Sequence, residues 1–207
     1  MARHSAVLNS AVLNSAPPPS TVSNEASVSS DDQFIAQPFT FNSLFVIDSI
    51  SAVVGGKAAD PFTIWITDAV GSSTTNADVL FQANSTIPNT NSFTAAQVVT
   101  FSTDLLLHPG MTYFLVMSSS TTTIGKGWGY GDAVLDNRTL GTLSPFEVSN
   151  AITTDDGFAP GSTFGANASG DDVDFQFAGE AAPEPGTWPI CGTGLTLLAA
   201  VRIRRLA

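Results

Sequence analysis

The chain has 207 residues, enough for one domain of ordinary size with tails, and a formal net charge of −11. Charged residues make up 12%, about half the usual share. Between Asp31 and Glu180, 14 Asp and 2 Glu face 2 Lys and 1 Arg, a net of −13, and such a field excludes nucleic acid and anionic lipid as partners of this body. The single cysteine, Cys191, excludes a disulfide within the chain.

At the N-terminus, Arg3 and His4 precede a pentapeptide that occurs twice in tandem, Ser5-Ala6-Val7-Leu8-Asn9 and Ser10-Ala11-Val12-Leu13-Asn14. A secretory signal needs a basic start and an unbroken apolar stretch of about 7–15 residues, and Asn9 and Asn14 interrupt this one. Residues 15–32 are rich in Ser and Pro and read as disordered. The segment 1–32 is therefore read as a disordered or degenerate leader. Either it is a decayed signal peptide or the true start lies upstream. The second is preferred, because the C-terminus described below has no use without export.

Strand signals then recur between turn residues. They fall at Gln33–Phe41, Leu44–Val54, Phe62–Thr67, Val79–Ala83, Gln97–Phe101, Thr112–Met117, Gly127–Tyr130 and Val173–Phe177. In Phe62–Thr67 the apolar Phe62, Ile64 and Ile66 alternate with Thr63, Trp65 and Thr67, the period of a half-buried strand. Trp65 should therefore face away from the core that Ile64 and Ile66 enter. In Val173–Phe177, Val173, Phe175 and Phe177 should point inward, with Asp174 and Gln176 outward. No helical period is sustained over 12 residues. Short strands with polar loops predict an all-β fold, a two-sheet antiparallel sandwich of jelly-roll-like form over residues 33–180.

Candidate chemistry within this body is sparse. His108, the body's only histidine, precedes Pro109 at a turn. There is no Gly-x-Ser-x-Gly elbow to supply a nucleophile, and one histidine cannot make a zinc site. A solvated turn residue is the plainer reading. Asp155-Asp156 and the group Asp171, Asp172, Asp174 are the densest carboxylates. Oxygen-rich loops can hold Ca²⁺, yet the spacing fits no EF-hand and such residues also make ordinary turns; no other cofactor is implied. A glycosidase needs two placed acids, and the body has only Glu147 and Glu180. Trp128 and Tyr130, two apart among glycines, would share one face of a strand. They are candidates either for stacking on a sugar ring or for closing the edge of the core. Three Asn-x-Ser/Thr triplets, at Asn84, Asn137 and Asn167, are chance matches in a chain this rich in Asn, Ser and Thr.

The C-terminal 181–207 has three parts. Pro183-Glu184-Pro185 holds the chain extended and accessible. An uncharged run from Trp188 to Val201 follows, and Arg202, Arg204 and Arg205 end it. As a helix the run reaches ~21 Å at about 1.5 Å per residue. That is short of a bilayer core of ~30 Å unless snorkelling arginine stems extend it. A basic end reads as cytoplasmic, placing the body outside the cytoplasm. A C-terminal helix of a soluble core is the alternative.

Pro183-Glu184-Pro185-Gly186-Thr187-Trp188, the apolar run and Arg202-Ile203-Arg204-Arg205 resemble the PEP-CTERM sorting signal of exported bacterial proteins. Pro189, Cys191 and Thr196 make the run more polar than is usual for that signal. The resemblance implies export, transient anchoring in the inner membrane through the tail and cleavage by an exosortase-type membrane enzyme. It also implies a Gram-negative source that makes exopolysaccharide. The body, from Ala36-Gln37-Pro38-Phe39-Thr40-Phe41 through Phe62–Asp68 and Val79-Leu80-Phe81 to Pro109–Val116 and Gly127-Trp128-Gly129-Tyr130, resembles the choice-of-anchor type of exported β-sandwich. That resemblance implies a surface or matrix protein and supplies no catalytic residues. The expectation is a non-enzymatic protein of the cell envelope or extracellular matrix. A carbohydrate-binding module for exopolysaccharide is the runner-up, and a glycoside hydrolase a distant third.

Overall fold

The structure is a computed structural model that describes residues 10–14, 24–27, 34–56, 60–87, 97–119, 126–131, 140–149, 158–166 and 172–181. The strands foreseen from alternation are present: β3 (Ile35–Phe41), β4 (Phe45–Gly56), β5 (Asp60–Thr67), β6 (Val79–Ile87), β7 (Gln97–Leu107), β8 (Thr112–Ser119), β9 (Lys126–Gly131) and β14 (Phe175–Ala181). Six more are short: β1 (Ser10–Asn14), β2 (Asn24–Ser27), β10 (Gly141–Leu143), β11 (Glu147–Ser149), β12 (Phe164–Ala166) and β13 (Asp172–Val173). The first two lie within residues 1–32, the segment read above as a disordered or degenerate leader. Each is a short strand laid along a longer one, β1 on β14 and β2 on β9. The expected C-terminal helix lies outside the described residues.

Two antiparallel sheets make the sandwich. One runs β1-β14-β4-β9-β13, with β7 also on β4 and β2 also on β9. The other runs β12-β11-β3-β8-β5-β6, with β10 also on β3. The chain crosses from sheet to sheet after β2, β3, β4, β6, β7, β8, β9 and β12. The inner faces alternate as half-buried strands must. On β7, Phe101 and Leu107 are buried while Ser102, Asp104 and Leu106 are exposed. On β14, Phe175 and Phe177 are buried and Gln176 is half-buried.

β4 departs from the simple period. Phe45 and Ile47 enter the core, then Ile50, Ala52 and Val54, so the inward positions change from odd to even. The register against β14 shows why. Ile47 faces Gly179 and Ser49 faces Ala178, which leaves Asp48 as an extra residue in a bulge. A bulge restores an apolar face that an unbroken strand would have turned outward, and Asp48 itself is exposed. Beside the bulge the chains run close. A Cβ at position 179 would collide with the Val46 carbonyl, so only glycine fits there.

The core is aromatic and joins the sheets. Phe41 stacks on Phe45 at 4.4 Å, and Phe177 meets Phe39 at 4.7 Å and Phe175 at 4.7 Å. Burying each such ring contributes about 1.5–3 kcal/mol. The crossing from β7 to β8 is pinned by Tyr113. Its buried hydroxyl accepts the His108 backbone N–H at 3.0 Å. At the same turn the Gly110 N–H donates to the Phe41 carbonyl at 3.0 Å. Gly110 has φ +74°, a left-handed conformation that favours glycine.

A smaller cluster covers the outer face of the second sheet. Trp65 does turn away from Ile64 and Ile66, as its parity requires. It is nevertheless buried, together with Phe34, Ala36, Val116 and Ala159. Two 3₁₀ turns, Asn76–Asp78 and Ala159–Gly161, lie in the segments that roof it. The Gly71 N–H donates to the Pro160 carbonyl at 2.8 Å and ties the two segments together. The first turn is fixed by a reciprocal cap between Thr75 and Asp78.

Candidate functional site

β9 carries the aromatic pair. It lies between β2 on one side and the ends of β4 and β13 on the other. Trp128 is the register partner of Val54 and of Ala26; Tyr130 is the partner of Val173 and of Asn24. Val54 and Val173 are fully buried in the main core. Residues directly opposite one another lie on the same face of a sheet. Positions 128 and 130 therefore share the face of the sheet on which those two valines lie. The body's other tryptophan, Trp65, is enclosed by the second cluster.

The carboxylates expected as Ca²⁺ ligands are only partly in view. Asp172 is on β13 opposite Gly131; Asp155, Asp156 and Asp171 lie outside the described residues. Asp174 was expected to face outward and is instead buried at 6% exposure. It is the single residue between β13 and β14, where the chain changes partner from β9 to β4. A residue at such a break is released from the period-2 rule, and its carbonyl accepts the Val53 N–H at 3.1 Å. Among the described residues no group of three or more His, Cys, Asp or Glu could hold a metal ion.

His108 is exposed in the turn that crosses between the sheets, and its backbone serves Tyr113. The two glutamates are held on different sheets. Glu147 begins β11, opposite Ala36 and Ala166, while Glu180 lies on β14 opposite Val46 and Ser10. Burial raises the Glu147 carboxyl above the ordinary glutamate range. The tail residues Pro183, Glu184, Pro185, Arg202, Arg204 and Arg205 lie outside the described residues. Among those described, no helix is long and apolar enough to cross a membrane.

Two polar features escape a reading by alternation. Gln37 occupies an inward position of β3 and is fully buried. Its amide nitrogen donates to the Ser144 carbonyl at 2.6 Å and the Pro38 carbonyl at 3.1 Å, and its amide oxygen accepts the Val173 N–H at 2.9 Å. This one side chain thus bonds β3 in one sheet to β13 in the other. The sequence held no signal for it, since a glutamine between Ala36 and Pro38 reads as polar surface. The other feature is a pair of buried hydroxyls, Thr67 and Thr74, whose Oγ1 atoms have no hydrogen-bond partner among the described residues.

No family model matches the chain, and no curated protein matches it. Among solved structures, one chain of the crystal structure of the T13 IBDV viral particle is similar, with a TM-score of 0.31 and 13% identity. The match covers 94% of this chain and 47% of that one, so the chain spans about half the length of that relative. A likeness this loose carries no inference about what the chain does.

Proposed function

We propose that this is an exported, non-enzymatic β-sandwich of the cell envelope or extracellular matrix, delivered through its C-terminal segment. The observation that carries the reading is the order of that segment: Pro183-Glu184-Pro185, an uncharged run from Trp188 to Val201, then Arg202, Arg204 and Arg205. An extended, readable break, a membrane-seeking run and a basic stop have the physical layout of a sorting signal. The partner it fits is a membrane-embedded processing enzyme of the exosortase type, and the membrane is engaged through the tail before cleavage. Residues 33–180 are the delivered domain and residues 181–207 the signal.

The body is consistent with a passive role. Glu147 and Glu180 sit on separate sheets, which does not favour the paired acids of a glycosidase. The register of β9 favours Trp128 and Tyr130 as closers of the core edge over a sugar platform. Replacing Arg204 and Arg205 with Glu tests the sorting role directly. Charge next to the apolar run sets its orientation, so the double variant should be retained poorly in the inner membrane and processed less. Unchanged fractionation and processing would remove the role assigned to these residues.

A further inference from the structure

Strand β1 is one copy of a duplicated sequence. Ser10–Asn14 pairs along the outer edge of β14 in the register Ser10 opposite Glu180, Val12 opposite Ala178 and Asn14 opposite Gln176. The five residues before it, Ser5–Asn9, are identical in sequence. Extending the same register backward would set Val7 against Pro183 and Ser5 against Pro185. In that register Ser5 and Val7 would each face a residue with no N–H to donate.

We infer that the edge of β14 is an acceptor for the strand Ser-Ala-Val-Leu-Asn and that the repeat supplies it with two interchangeable donors, residues 5–9 and residues 10–14 of the same chain. The physical basis is the repeat length. A strand that slips by one residue exchanges its two faces and is penalised wherever one face is buried. A slip of five residues along this repeat returns Ser to Ser, Ala to Ala, Val to Val, Leu to Leu and Asn to Asn, so every position opposite Gln176–Glu180 keeps its residue. Leu8 would replace Leu13 opposite the buried Phe177. The slip lengthens the connection to β2 from residues 15–23 to residues 10–23. Closing the longer loop disfavours the slipped register by only about twofold. The consequence is an edge that stays covered when one donor leaves. β14 otherwise presents a row of unpaired backbone groups, a template for joining other chains.

The test is a pair of disulfide traps in full-length protein carrying Cys191→Ser, equilibrated in a thiol redox buffer. Directly opposed residues of an antiparallel pair have Cα atoms about 4.5–5.5 Å apart, within reach of a disulfide. Val12→Cys with Ala178→Cys reports the register seen here, and Val7→Cys with Ala178→Cys reports the slipped one. Both should form intramolecular disulfides, the first in about twofold excess. Adding Leu13→Asp, which sets a charge opposite Phe177, should raise the yield of the second trap several-fold. A disulfide in the first pair alone, with none in the second even after Leu13→Asp, would overturn the inference. So would a failure of both pairs, or cross-links found only between molecules.

Discussion

Phe177 is the side chain on which the two sheets most visibly depend. It is fully buried on β14. Its ring lies 4.7 Å from Phe39 and 6.3 Å from Phe41 across the sandwich, and 4.7 Å from Phe175 beside it. Truncation to alanine removes apolar surface and leaves a void that a close-packed core fills only partly, a loss of about 3–5 kcal/mol. Three aromatic contacts go at once, each worth about 0.5–1.5 kcal/mol beyond its area, so the upper part of that range is expected. A domain of this kind has a total stability of roughly 5–15 kcal/mol. Phe177→Ala should therefore lower the melting temperature by about 10–20 °C, at about 2–4 °C per kcal/mol, and shift the urea midpoint to match. Gln176→Ala, half-buried on the opposite face, should stay within about 0.5 kcal/mol. Equilibrium urea unfolding of both variants is the assay. A loss below about 1 kcal/mol at Phe177, or equal losses at the two positions, would refute the inner-face assignment of β14.

Three further outcomes follow from the same geometry. Thr67→Val should stabilise the protein by about 1 kcal/mol in thermal melts, because it removes a buried hydroxyl that has no partner among the described residues. Glu147→Gln should change the pH dependence of stability. Its folded-state pKa is raised by burial, so the folded chain holds the proton more tightly, and the wild type should lose stability as pH rises through and above the ordinary glutamate range. Urea midpoints of the variant should lack that decline; an identical pH profile would contradict it. Trp128→Ala should destabilise by about 3–5 kcal/mol if its position closes the core edge, with no exopolysaccharide retention to lose in an affinity gel. A stable variant that loses retention would make the domain a carbohydrate-binding one.

The long strands were legible because their side chains obey a simple period. Phe62, Ile64 and Ile66 on β5 and Phe175 and Phe177 on β14 declare an inner face without knowledge of any partner. What stayed hidden depends on partners. The three-residue strands β10, β11 and β12 are too short to carry a period and exist as strands because β3 and one another accept them. The bulge at Asp48 is set by the match of β4 to β14, two segments distant in sequence. Trp65 was correctly given the outer face, but its burial comes from the roof around Ala159, which local alternation cannot reveal. Gln37 reads as surface until Val173 is placed across the sandwich from it. Asp174 breaks the alternation because the strand itself breaks there. Of the candidate sites, the C-terminal layout of proline, apolar and basic parts is a feature of the sequence and lies outside the described residues, whereas nothing local could place Glu147 and Glu180 on separate sheets.

The central claim is that this sandwich is delivered through a tail that is then removed. Intact-mass spectrometry of the mature protein recovered from the envelope or matrix of the native cell tests it most directly. The account predicts a C-terminus close to Pro183–Thr187, with the apolar run from Trp188 and the arginines absent. A mature protein outside the cell that still ends at Ala207 would contradict it.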